Sequence, residues 1–114
     1  MTAELDADDL RKRLGRAWSL ETSSLWSPDN PARGQCSVTA LAVQRLYGGD
    51  ILKTRAPGGA HFYNRIGGAR FDFTAAQFAD PPAYEDEASD AGEAMEDTSP
   101  AQLEALLRGL ENGR

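Results

Sequence analysis

Within 114 residues there is one cysteine and one histidine. A single cysteine excludes an internal disulfide, and with it the small secreted scaffolds that depend on bridges. One cysteine and one histidine cannot build a Cys/His zinc site, so neither metal nor cofactor is expected. Apolar runs are short: the longest, Val38 to Val43, falls far below the roughly 20 residues of a membrane span. The opening Met-Thr-Ala-Glu-Leu-Asp-Ala-Asp-Asp is acidic and polar, unlike a secretory leader. The expectation is a cytoplasmic protein with no membrane association. Positive charge is also scarce, 12 bases against 18 acids for a formal −6. The bases are scattered and form no stripe, which argues against nucleic acid as a partner.

Bases are missing altogether from residues 79–98, which hold eight acids. The rest of the chain has 18 − 8 = 10 acids and 12 bases, a formal +2, so the negative balance belongs to this one segment. It contains Pro81, Pro82 and Gly92, and only Tyr84 and Met95 as large apolar groups. So little apolar surface cannot offset the entropy of ordering the chain. The segment reads as an acidic linker at 79–98. It joins a single α+β core domain, 1–78, to an amphipathic helix at 99–114 that docks on the core. The alternative is a docking strip, in which residues 79–110 engage a protein partner.

What is present is a set of well-marked elements. Asp6 caps a helix over about 7–18, with Asp8 and Asp9 in its first turn and Leu10, Leu14 and Trp18 on one stripe. Residues 19–33 read as irregular. A second helix fits Cys36 to Tyr47 and stops at Gly48-Gly49. Residues 51–54 read as a short strand. Residues 60–66 and 69–73 read as a hairpin turning at Gly67-Gly68, with a turn at 74–78 after it. The last helix, about 100–111, starts at Ser99-Pro100 and carries Leu103, Leu106, Leu107 and Leu110 on one face.

The two rare residues acquire meaning from these positions. Cys36 opens the second helix, where free N–H groups and the helix dipole favour a thiolate. A two-residue turn at 67–68 sets 66 opposite 69 and 63 opposite 72. His61, Tyr63, Arg65, Arg70, Asp72 and Thr74 then share one face, and Phe62, Asn64, Ile66, Phe71 and Phe73 the other. His61 and Asp72 become diagonal neighbours, close enough for an imidazole to meet a carboxylate. Cys36 as nucleophile, His61 as base and Asp72 as orienter follow the logic of cysteine hydrolases. Gln35 and the Cys36 backbone N–H are candidate oxyanion donors; Asn30, Trp26 and Tyr63 complete the candidate cleft. Asn64, on the apolar face, is assigned a structural hydrogen bond. The plainer alternative is a buried structural cysteine and histidine in a non-catalytic binding or regulatory domain.

Two blocks carry a family resemblance. Trp26, Asn30, Pro31, Gly34, Gln35, Cys36, Val38, Thr39, Ala40, Leu41, Gly48 and Gly49 form the first. His61, Phe62, Tyr63, Asn64, Arg65, Asp72, Thr74, Gln77 and Phe78 form the second. Together they resemble the YunG-like family of small bacterial proteins, over about residues 18–78. More remotely, the order of Cys, His and Asp resembles papain-like and transglutaminase-like enzymes, although here the glutamine immediately precedes the cysteine. The resemblance implies an α+β fold with a small papain-like core, a Cys-bearing helix packed on a short antiparallel sheet. It also implies thiol chemistry on an amide, isopeptide or thioester of a small molecule or peptide.

Overall fold

The computed structural model describes residues 5–112, apart from the side chain of Asn112. Helix α1 spans Ala7–Ala17 and α2 Cys36–Tyr47; strands β1, β2 and β3 span Asp50–Ala56, Gly59–Ile66 and Ala69–Phe71. A 3-10 turn at Ala75–Gln77 follows, then strand β4 at Glu87–Ser89, helix α3 at Ala91–Met95 and helix α4 at Pro100–Asn112. The strands form one antiparallel sheet in the order β3-β2-β1-β4. The chain is therefore α+β, with the Cys36 helix against the sheet.

The hairpin register follows from its turn. Ile66 pairs with Ala69, Arg65 with Arg70 and Asn64 with Phe71. Phe62 is buried in the core that α2 covers, and Asn64 donates Nδ2–H to the Ala40 carbonyl of α2 at 3.0 Å. A second hairpin joins β1 to β2 through Pro57 and Gly58, setting Thr54 opposite His61. The sequence reading left β1 unpaired. At the other end of β1 the chain must pass close to β2: Gly49 has φ +81°, and a Cβ there would lie 2.3 Å from the Arg65 carbonyl oxygen. Only glycine fits such an approach.

Helices α1 and α4 complete the core. Leu10 and Leu14 of α1, Val38, Ala42 and Val43 of α2, and Leu103, Leu106 and Leu110 of α4 are buried together. Arg13 donates to the Leu110 carbonyl at 2.7 Å, tying the two terminal helices. The leucine face of α4 is thus committed to its own chain. Leu106 is 0% exposed, so Leu106→Ala should cost about 2–5 kcal/mol. Urea denaturation checks this; a loss below about 0.5 kcal/mol, the scale of an ordinary surface substitution, would mean that α4 is peripheral.

Residues 79–98 differ from the free acidic linker read from composition. They supply β4, which pairs with β1, and α3, which buries Ala94 against α2. What orders them is partner chemistry rather than apolar content. Glu85 meets Arg55, Asp86 meets Arg70, and Glu93 meets Lys53. The acids of this segment answer the bases of the strands. Residues 83–86 form a strap across the sheet face opposite α2, and Tyr84 packs edge-on against Tyr63 with ring centroids 5.0 Å apart.

Candidate active site

Cys36 sits at the first position of α2, which has no side-chain cap, so its leading N–H groups are not consumed. The chain reaches it through Gly34, at φ +76°, where a Cβ would lie 2.5 Å from Ser23 Oγ and 2.8 Å from Leu25 Cβ. The loop before the helix is therefore packed tightly enough to require glycine. Because β3 ends at Phe71, the edge of β2 beside His61 and Phe62 is free. Cys36 and His61 line the same cleft; the His61 ring and the Phe62 N–H lie near enough to the sulfur to lower the thiol, and the Ser37 hydroxyl lies 3.9 Å away.

His61 Nε2 is 2.7 Å from Asp72 Oδ2, which leaves Nδ1 as the ring nitrogen for the thiol. Their side chains are 2% and 5% exposed. Asp72 is held on all sides. The Tyr84 hydroxyl donates to Oδ2 at 2.7 Å, and the Thr74 N–H and hydroxyl reach Oδ1 at 3.2 and 3.3 Å. Phe78 stands edge-on to the imidazole at 4.8 Å and Tyr63 stacks at 6.0 Å, which fixes the ring plane.

The electrostatics follow from this packing. Burial pushes the Cys36 thiol up, but the hydrogen bond and charge of His61, with the Phe62 N–H and the Ser37 hydroxyl, hold it below its ordinary value. Burial alone would lower His61; its bonds to Asp72 and Cys36, and their negative charge, raise it instead to about 9. Burial likewise pushes Asp72 up, and His61, Tyr84 and Thr74 bring it below its ordinary value. All three shifts run toward the charged forms, thiolate, imidazolium and carboxylate.

Cys36 and His61 open onto a cleft of about 280 Å³. One wall is Leu25, Arg33 and Gly34; the other is the β1–β2 hairpin from Ala56 to Ala60, with Gln77 and Phe78 closing an end. A second cleft, about 600 Å³, lies next to it beyond Gln77 and Phe78 and is lined by Trp18, Asn30 and Pro31 among others. Among the described residues, no group of three or more His, Cys, Asp or Glu side chains is placed to hold a metal. No helix is long and apolar enough to cross a membrane, again among the described residues.

The structure brings Cys36, His61 and Asp72 together. It does not put Gln35, Asn30, Trp26 or Tyr63 on the thiol cleft. Gln35 turns inward: it is 0% exposed, its Oε1 accepts from Thr22 Oγ1 at 2.8 Å, and its Nε2 has no partner. Asn30 instead holds the Gln77 carbonyl at 3.2 Å and lines the neighbouring cleft. Trp26 packs on the core, with its Nε1 buried and unpartnered. Tyr63 lies behind His61, its hydroxyl bonded to Asp86. The sequence reading missed Tyr84 and the cleft walls Arg33 and 56–60. A lone aromatic within an acidic run is the one local signal Tyr84 offered.

The model of the YunG protein family matches residues 6–113, so the chain belongs to the YunG family. It is 44% identical over 93 residues to the uncharacterized protein YunG of Bacillus subtilis (strain 168), covering 82% of this chain and 81% of that protein. No solved structure matches the chain.

Proposed function

We propose that this chain is a cysteine-dependent hydrolase or acyl transferase acting on an amide, isopeptide or thioester, with a papain-like arrangement of its core. The observation that carries the reading is the continuous chain Cys36–His61–Asp72, buried at the carboxylate and open to a cleft at the sulfur. The Cys36 thiolate attacks the carbonyl carbon and a C–S bond forms. The carbonyl oxygen takes the negative charge beside the uncapped N–H of Cys36. As the tetrahedral species collapses, the bond to the leaving group breaks and the His61 imidazolium protonates that group. A thioester on Cys36 remains. Water or an amine then attacks it, His61 takes the proton, and the thiolate leaves. Asp72 keeps the ring oriented and stabilises its charge throughout, as the third member of a triad does.

The test is an acyl-enzyme trap with p-nitrophenyl acetate. The folded protein should release a burst of nitrophenolate and show an acetyl adduct on Cys36 by intact-mass and peptide mapping. Cys36→Ser should give neither. Acetylation no faster than in the urea-unfolded chain would overturn the proposal.

A further inference from the structure

We propose that Arg33 makes the thiol cleft selective for acyl donors carrying a carboxylate near the reacting carbonyl; this rests on the thiol-acyl reading above. Among the described residues, Arg33 is the one charged side chain lining the cleft apart from the Cys36–His61 pair, and neither aspartate nor glutamate lines it. In a chain with 18 acids and 12 bases that absence is against the grain. The strand bases are spent: Lys53, Arg55, Arg65 and Arg70 each meet a carboxylate. Arg33 makes no salt bridge among the described residues and is exposed to solvent.

Its placement is built into the backbone. Gly34, the next residue, is locked against Ser23 and Leu25, and the Arg33 N–H bonds the Asn30 carbonyl at 3.1 Å. The guanidinium therefore springs from a fixed turn three residues ahead of the nucleophile. The opposite wall is made of small residues, Ala56, Gly58, Gly59 and Ala60, which leave room for a short polar acyl group. A guanidinium fork binds a carboxylate through two parallel hydrogen bonds and cannot lose its charge at accessible pH. Asp72 lies buried behind His61, so on the cleft wall itself Arg33 is the charge that an anionic acyl group meets.

Two alkylating reagents isolate this property. Iodoacetate and iodoacetamide react alike: the thiolate sulfur attacks the methylene carbon, a C–S bond forms, and iodide leaves with the C–I electrons. Only iodoacetate carries a carboxylate. Any change in thiol ionisation alters both rates equally and cancels in their ratio. The iodoacetate-to-iodoacetamide rate ratio at Cys36, at low salt and about pH 7, should fall about fivefold in Arg33→Gln and further in Arg33→Glu. Arg33→Lys should retain part of it, and added salt should compress the difference. Ratios equal in wild type and Arg33→Gln, with the variant's circular dichroism unchanged, would overturn the assignment. A wild-type thiol that neither reagent labels faster than the unfolded chain would instead overturn the thiol-acyl reading beneath it.

Discussion

Replacing His61 by alanine is expected to slow iodoacetamide labelling of Cys36 at about pH 6.5 by about tenfold or more, toward the rate of an ordinary thiol, which with a pKa of about 8.5 is only about 1% thiolate there. In the intact protein the thiol lies below its ordinary value against the opposing effect of burial, and His61 is the largest cause of that lowering. Take the imidazole away and burial, which favours the neutral thiol, remains. Only the Phe62 N–H and the Ser37 hydroxyl oppose it. The wild-type labelling rate should stay high across neutral pH, where His61, with its pKa near 9, is still charged. Turnover should decline above about 9 as His61 loses the proton it must give the leaving group. The His61→Ala rate should climb through the alkaline range with no neutral plateau. Superimposable pH profiles for the two proteins would remove the basis for an activated nucleophile.

Asp72→Ala is expected to cost about 3–5 kcal/mol in folding free energy, the usual result of removing one partner from a buried ion pair. The loss is large because Asp72 serves four donors, those of His61, Tyr84 and two of Thr74. Tyr84→Phe removes a single one of these and should cost about 1–3 kcal/mol. Linkage gives the pH dependence. The folded His61 value, about 9, exceeds its ordinary 6.5, so its stabilisation is complete below 6.5 and lost as pH rises through about 9. The folded Asp72 value lies below 3.8, so its stabilisation is present above about 4 and lost as pH falls through the folded value. In a Cys36→Ser background, which removes the thiol's own titration, Asp72→Ala should flatten the alkaline limb and part of the acid limb. Glu85 and Asp86, both held near 2 by Arg55 and Arg70, keep the rest of the acid limb. Urea unfolding at several pH values measures it. An alkaline slope the same in both backgrounds would separate His61 from Asp72 energetically.

The parts of the molecule visible in the sequence are those specified by near neighbours. Leu10 and Leu14, the Ser99-Pro100 start, the Gly48 stop and the Gly67-Gly68 turn each act within a few residues. Helices α1, α2 and α4 and the β2–β3 hairpin are therefore legible, and that turn carries the meeting of His61 with Asp72. The β1–β2 hairpin was not, because Ala56-Pro57-Gly58-Gly59-Ala60 reads locally as loop and becomes a turn only through the pairing of Lys53 with Phe62. Nor was the strap: β4 is three residues long with its first two residues exposed, and the segment's order comes from strand bases 16 to 40 positions earlier. Gln35 misled for a related reason, since a side chain beside a nucleophile was expected in the cleft and Thr22, 13 residues earlier, draws it inward.

The strap has a consequence for how the molecule responds to stress. Its fastenings are two surface ion pairs, Glu85 with Arg55 and Asp86 with Arg70, which salt weakens, and half-buried hydrogen bonds to Thr54, Tyr63 and Asp72. Such a unit opens by local fluctuation well before the helical core melts. Each opening withdraws Tyr84 from Asp72 and admits water to the face behind His61. A local folding equilibrium of this kind ties the ionisation of Cys36 to the strap, so warmth or ionic strength is expected to raise the thiol toward its ordinary value while the helical core stays folded.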